Sequence, residues 1–550
     1  MASSNDPEIA PSSGSHEDTP PGTFLLIREN EEYMGHLRAI MLSPFPSTDP
    51  NEPLNWSTTR KALNFTLVLA VTCLIFTALS IQAIFWQLMV VDLNVTYTEL
   101  NRVMSVNFVG LAVGCVFFIP LAKKFGRRPV YLVSTALMLI TSFWTAELHS
   151  LSELYVANLL QGLAGATNEA IVQITIADLF FVHQRGRMNA LYMSMMMIGS
   201  FLTPMAAGTQ ATRQGWRMPY RTLGICNAIV FVLFIVFYEE TKYTRTGEET
   251  QGSGAAADGS RPSVDTNAKD GGKVFIEGAA LEETNTRYTT ATHEIDNTIP
   301  VKPWLKRLPM YTYTAEPIWP HYYRPFIILV SFPAVLCCAL QYACGVMWLT
   351  VMSSVLALVF PMPPYSFTPE QVGFMSVGPF IGNLIGSFYG GFVGDRTILH
   401  YARRNRGYYE PEMRLYILHI PALALCAGII MFGVTIDRGM HWMWPSVGGA
   451  LFGFGLGSIS DACLTWVIDC YMEITGDAFT GVAFMRNAVS IGIPFAITPW
   501  MQKAGLTNMF ITCGFISLGV TLTMVPMIFY GKSIRRTTAK GYRAMAAKQD

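Results

Sequence analysis

Between Leu154 and Arg187 the chain reads LYVANLLQGLAGATNEAIVQITIADLFFVHQRGR. The apolar part is long enough to cross a bilayer, which takes about 20 helical residues. Yet Asn168 and Glu169 sit near its middle. A carboxylate there costs about 2.5–3.5 kcal/mol on insertion scales, so it must face a bundle interior or a wet cavity. Two readings follow: a transport site or proton relay, and a protonated structural Glu bonded to a neighbouring helix. Asp178 and the basic loop from His183 to Arg187 mark the cytosolic end of this helix.

Such runs recur. Six lie in the first half, at residues 62–86, 103–122, 129–146, 154–177, 188–208 and 222–238. Six more lie at 326–349 (with room to extend to 359), 372–393, 415–434, 443–468, 479–501 and 508–530. Only 14% of the residues are charged and 51% are hydrophobic, where soluble domains carry about 25% charge. The expectation is an all-α membrane protein with twelve transmembrane helices in two six-helix bundles. The net charge of zero gives no electrostatic reason for a nucleic-acid partner. The ten cysteines form neither a CxxC pair nor a zinc spacing. There is no GxxxxGK[ST] loop, HExxH or GxSxG, so ATP-driven pumping, an enzyme, a cofactor and a metal are not expected.

The organisation read from composition is a disordered cytosolic tail (1–60), a first bundle (61–240), a cytosolic linker (241–324), a second bundle (325–531) and a basic cytosolic tail (532–550). With both termini in the cytosol, the inner loops hold eleven Lys and Arg and the outer loops six, the bias expected of that orientation. Asn94-Val95-Thr96 falls in the first outer loop and is a glycosylation sequon.

The two halves echo one another. Span four ends Ile176-Ala177-Asp178 and span ten ends Val467-Ile468-Asp469. Glu169 precedes the first aspartate by nine residues, and Asp461 precedes the second by eight. Internal repeats of this kind suggest two bundles rocking about a central site.

At this point the chain resembles the major facilitator superfamily. The loop after span two carries Gly126-Arg127-Arg128-Pro129, and the loop after span eight carries Gly391, Gly394, Asp395 and Arg396. Lys123 stands where the family has an acidic residue, and Asp395 holds that place in the second copy. Gly199 to Gly208, with Pro204 inside, looks like a degraded Gly/Pro motif of drug:proton antiporters. Asn55-Trp56, Phe181 to Gly186, Tyr409-Glu410-Pro411-Glu412 and Arg486-Asn487 are similar to a fungal branch of the twelve-span group, which includes polyamine and cation importers and exporters of toxins or metabolites. Gating or conformational roles are expected for Gly126, Arg127, Arg128, Asp395, Arg396, Asp178, Asp469, Arg486 and Pro204.

Glu169 is the first candidate to carry a proton or cation, with Asp461 as its counterpart. Asn168, Asn107, Gln161 and Gln173 are candidates for polar contacts in the first bundle; Gln341, Tyr342, Trp348 and Asn383 in the second. Asp178 and Asp469 are expected to pair with loop cations or helix ends. Arg486 is expected to snorkel or to pair with Asp469 or Asp477, with a direct substrate role as the other alternative. The resulting expectation is proton-coupled export of a small amphipathic compound, a xenobiotic, toxin or metabolite, with proton-coupled uptake of an organic cation such as a polyamine as the alternative and a non-transporting sensor as a remote one. The expected partners are the substrate, protons and the bilayer. The expected setting is a monomer in the plasma membrane, with the vacuolar membrane as the other possibility.

Overall fold

The computed structural model describes residues 20–25, 38–40, 49–243, 288–290, 300, 302–309, 311–312, 317–405 and 408–547; most of the linker and of the N-terminal tail lie outside the described residues. Eleven described helices are long and apolar enough to cross a bilayer. They are α1 (Thr58–Leu93), α2 (Tyr97–Phe125), α3 (Arg127–Ala146), α5 (Arg187–Gln214), α6 (Arg217–Phe237), α7 (Pro333–Val359), α8 (Pro369–Arg404), α9 (Pro411–Asp437), α10 (Met443–Cys470), α11 (Met472–Ala504) and α12 (Leu506–Ala546). The twelfth, α4 (Leu151–Leu179), has the length, and its apolar run is broken by Asn158, Gln161, Asn168 and Glu169.

Local chemistry sets the ends and breaks. Thr96 and Glu99 form a capping box at the start of α2: the Glu99 amide donates to Thr96 Oγ1 at 3.3 Å, and the Thr96 amide donates to Glu99 Oε2 at 2.7 Å. The helix stops at Gly126, whose φ of 103° suits glycine, and α3 begins at the next residue. Span seven is not one run from 326. A helix Trp319–Ser331 ends at Phe332, and α7 restarts at Pro333, because proline has no N–H for the ladder and biases the residue before it away from helix. In α5 a π-helical stretch, Ile198–Leu202, lies just ahead of Pro204. A second, Tyr389–Val393, interrupts α8.

Each half has its own core. One cluster unites buried residues of α1 to α6, among them Phe85, Trp86, Tyr131 and Phe234; the other unites Phe332, Trp348, Trp466 and Phe510. Equivalent helix pairs are held together the same way. A Cβ on Gly162 of α4 would lie 2.1 Å from the Asn107 carbonyl oxygen of α2, and one on Gly453 of α10 would lie 2.2 Å from the Pro379 carbonyl oxygen of α8. Only small residues allow backbones that close.

The bundles meet along α2 and α11. Asn101 donates to Thr498 Oγ1 at 3.3 Å near the start of α2, and Lys123 pairs with Asp477 near its end. On the other side, Thr209 of α5 donates to Glu370 of α8 at 3.3 Å. Two short strand pairs lie at the periphery: β1 (Phe24–Leu25) runs antiparallel to β4 (Tyr408–Tyr409), and β2 (Arg38–Ile40) runs parallel to β3 (Tyr288–Thr290).

Candidate functional site

A cavity of about 230 Å³ lies between the bundles. Its first-bundle wall includes Trp86, Asn107, Asn158, Glu169, Met193, Met196, Met197 and Pro204. Its second-bundle wall includes Tyr342, Asn383, Phe432, Phe452, Asp461, Arg486 and Asn487. Thioethers and rings form an adaptable apolar lining, and the polar groups are few, which is the usual make-up of a small-molecule site.

The centre of the site is an ion pair that crosses from one bundle to the other. Glu169 of α4 pairs with Arg486 of α11, with side chains 5% and 8% exposed. Asn487 Nδ2 donates to Glu169 Oε2 at 2.7 Å, and Arg486 donates to the Tyr342 hydroxyl at 3.1 Å. The guanidinium carbon also lies 5.0 Å from the Tyr342 ring centroid. This corrects the expectation for Arg486: it neither snorkels nor pairs with Asp469 or Asp477. Two opposite charges, each stranded in mid-span, offset one another's desolvation better than either could alone. Asn487 and Cys115, whose Sγ lies 3.6 Å from Glu169 Oε2, had no assigned role in the sequence reading. The signal that could have found the pair is simple: among the mid-span charges, Arg486 was the one cation near the depth of an acid.

Asp461 differs. It faces the same cavity, and among the described residues no cation is paired with it. Gly457, one turn earlier on α10, packs against Asn383 of α8, so the two polar groups share one wall.

Other candidates are not brought to the cavity. Asn168 is fully buried in the first bundle, where Thr72 Oγ1 donates to its Oδ1 at 3.0 Å. Gln341 turns to α12 and donates to the Val520 carbonyl at 2.6 Å and to Thr523 Oγ1 at 3.1 Å. Trp348 donates to Cys344 Sγ at 3.1 Å. Neither Gln161 nor Gln173 is part of the cavity wall. Asn107 and Tyr342 line it.

The candidates at the ends of α4 and α10 form two related clusters. Arg127 pairs with Asp178 at 2.9 Å, and Arg414 pairs with Asp469 at 3.2 Å. Tyr409 also donates to Asp469; burial first, and that carboxylate second, hold its phenol above the ordinary range. Arg128 does not cross between bundles. Its guanidinium donates to the carbonyls of Ile235 at 2.8 Å and of Leu308 and Pro309 in the linker's last part. Gly126 lies beside it, where a Cβ would meet Glu240 Oε2 at 2.4 Å. Arg396 is exposed and stacks over Phe392 at 4.2 Å; the Asp395 side chain lies outside the described residues. In α5, Gly199 packs against the Cys73 carbonyl of α1, and Gly208 against the Pro369 carbonyl of α8. Asn94 is exposed at a left-handed turn, φ 52°, between α1 and α2.

The family model described as Major Facilitator Superfamily matches residues 68–494. The chain belongs to the major facilitator superfamily. It is 28% identical to the protein HOL1 of Saccharomyces cerevisiae, with 96% of this chain and 97% of that one covered. It is 24% identical to the multidrug transporter TPO1_2 of Candida glabrata, with 90% and 78% covered. Among solved structures it is similar to the proton:xylose symporter XylE, with a TM-score of 0.56 at 11% identity, covering 86% of this chain and 97% of that one. That likeness concerns the fold alone. Major facilitator proteins are transporters and not enzymes, and this chain is an integral, multi-pass member with a small-molecule site inside its membrane domain.

Proposed function

We propose that this chain is a proton-coupled secondary transporter that exports a small amphipathic compound carrying a positive charge. The observation that carries the reading is Asp461, a carboxylate on the wall of an otherwise methionine- and aromatic-lined cavity, with no cation paired to it among the described residues. A ligand ammonium would supply the missing charge, and rings such as Phe432 and Phe452 would hold its apolar body. Glu169 is the proposed proton carrier. While ionised it binds Arg486 and Asn487 and ties α4 to α11. When protonated it no longer holds the guanidinium by charge, and the bundles are freer to rock. A proton taken up at Glu169 and a cation held at Asp461 thus act on two different acids that face one cavity. Export is favoured by the small-residue and proline pattern around Pro204 and by the likeness to a relative named as a multidrug transporter. Uptake of an organic cation is the second reading, because Asp461 would serve it equally well.

The test is flux of labelled organic cations in cells with and without the protein. A cation that accumulates inside cells lacking it marks an exporter, and one that stays in the medium marks an importer. Asp461→Asn should remove either effect. If cation flux survives Asp461→Asn, the proposed cation site is wrong. The proposed setting, plasma membrane with both termini in the cytosol, is checked by imaging a tagged chain and probing the tags from each side.

A further inference from the structure

The N-terminal tail was expected to be disordered, but its residues 20–25 are seated on the second bundle. Pro20 to Thr23 form a turn closed by the Thr23 amide donating to the Pro20 carbonyl at 3.2 Å. Gly22 has φ 79°, and a Cβ there would lie 2.3 Å from the Asp469 carbonyl oxygen at the end of α10, so the seat admits glycine alone. The next two residues are β1, paired with β4. Beneath them Arg535 of α12, 1% exposed, pairs with Glu412 through Nε and Nη2. Its Nη1 donates instead to the Pro21 carbonyl and to Thr23 Oγ1, the latter at 3.1 Å. Further along, the same tail is fixed to the first bundle's side: Tyr243 donates to Asp49 Oδ2 at 2.9 Å, Trp56 is buried, and Arg60 pairs with Glu239.

We propose that residues 20–25 are a self-docking peptide, and that the cytosolic end of the second bundle is a recognition site for their Pro-Pro-Gly-Thr turn which, when filled, restrains that end. The site reads shape and hydrogen bonding together. The left-handed glycine fits against Asp469, and a buried guanidinium with two donors already committed to Glu412 directs the third at the turn. The docked turn covers that nitrogen and gives it two acceptors, so no charged donor is buried unsatisfied. The seat joins three elements: β4 with the residues after it, the end of α10, and α12. Asp461 lies eight residues before Asp469 on α10, about 12 Å of helix. A filled seat therefore holds the helix that carries the cavity's unpaired acid, and by linkage a ligand in the cavity alters the hold on the tail. Because the turn is tethered to its own site, a modest intrinsic affinity suffices to keep it docked.

Hydrogen exchange on the purified full-length chain tests this without any substrate. Gly22→Val should lower protection at least tenfold at residues 20–25 and 408–412 and also speed exchange at the cytosolic ends of α10 and α12. Protection unchanged at the tail would overturn the docking, and unchanged exchange at α10 and α12 would overturn the restraint. A chain lacking residues 2–25 should bind a synthetic peptide of residues 18–27 saturably, and the same peptide with Gly22→Val at least tenfold more weakly. Equal binding of the two peptides would overturn the recognition. Should the shortened chain fail to fold, the Gly22→Val exchange measurement on the full chain decides alone.

Discussion

Helices α4 and α10 hold equivalent places in the two bundles, and each carries an acid in mid-span, but the acids are treated in opposite ways. Glu169 is bound by a cation and an amide from the other bundle, whereas Asp461 faces the cavity without a cation among the described residues. The reason lies one helix on. After α10 comes α11 with Arg486; after α4 comes α5, which between Arg187 and Arg213 has no Lys or Arg and instead lines the cavity with Met193, Met196 and Met197. Glu169 is part of the link between the bundles, and Asp461 is the acid left for the proposed cation.

The strongest way to break this comparison is to remove the cation. Arg486→Met leaves Glu169 buried and unpaired, which should cost about 3–5 kcal/mol, read as a large fall in the thermal midpoint of the purified protein. Adding Glu169→Gln should restore most of that stability and leave flux insensitive to an imposed pH gradient. If the single variant is as stable as the parent, the link is not structural. Asp461→Asn should act the other way: cation flux falls more than tenfold while stability changes by less than about 1 kcal/mol. A loss of stability as large as that of Arg486→Met would mean Asp461 is a packing residue after all.

Smaller effects should come from the ends of α11. Lys123→Ala removes a cation from Asp477, 1% exposed, and should cost about 1–3 kcal/mol and raise access to the cavity from that end, measured by labelling of an introduced cysteine. The exchanged pair Lys123→Asp with Asp477→Lys should recover both, and a failure to recover would show that position, rather than charge, matters. Asn101→Ala removes one hydrogen bond to Thr498 and should cost about 0.5–1.5 kcal/mol, with flux nearly unchanged.

The same comparison shows what could be read before folding. The twelve helices were legible because bilayer thickness fixes their length, and the repeat was legible because it preserves Asp178 and Asp469 at matching ends. The pairing of those two aspartates with Arg127 and Arg414 follows the expectation of loop cations. Which face a helix turns inward was not legible. In a membrane both the lipid side and the packed side are apolar, so periodicity does not separate them. Gln341 and Tyr342 are neighbours in sequence, yet one binds α12 and the other lines the cavity beside Arg486. Asn168 and Glu169 divide in the same manner. The partner of Arg486 was missed because 317 positions separate it from Glu169, and only the assembly of the two bundles brings them together.

The ends of the bundles that carry Arg128 and Arg535 add a second contrast. At the first bundle Glu240, after α6, accepts from the backbone amides of Arg127 and Arg128 at the start of α3; at the second Glu412, at the start of α9, pairs with the Arg535 guanidinium on α12. Each buried arginine then reaches a segment from outside its bundle, the linker's Pro309 in one case and the tail's Pro21 in the other.

In the proposed mechanism the two mid-span acids divide the work, Glu169 for the proton and Asp461 for the cation. The most direct measurement is flux of a labelled organic cation in proteoliposomes with and without an imposed pH gradient, comparing the parent chain with Glu169→Gln and Asp461→Asn. The division predicts that Glu169→Gln still exchanges cation for cation but ignores the gradient, while Asp461→Asn moves no cation under either condition. Parental rates in Asp461→Asn, or gradient-driven flux that survives Glu169→Gln, would contradict it.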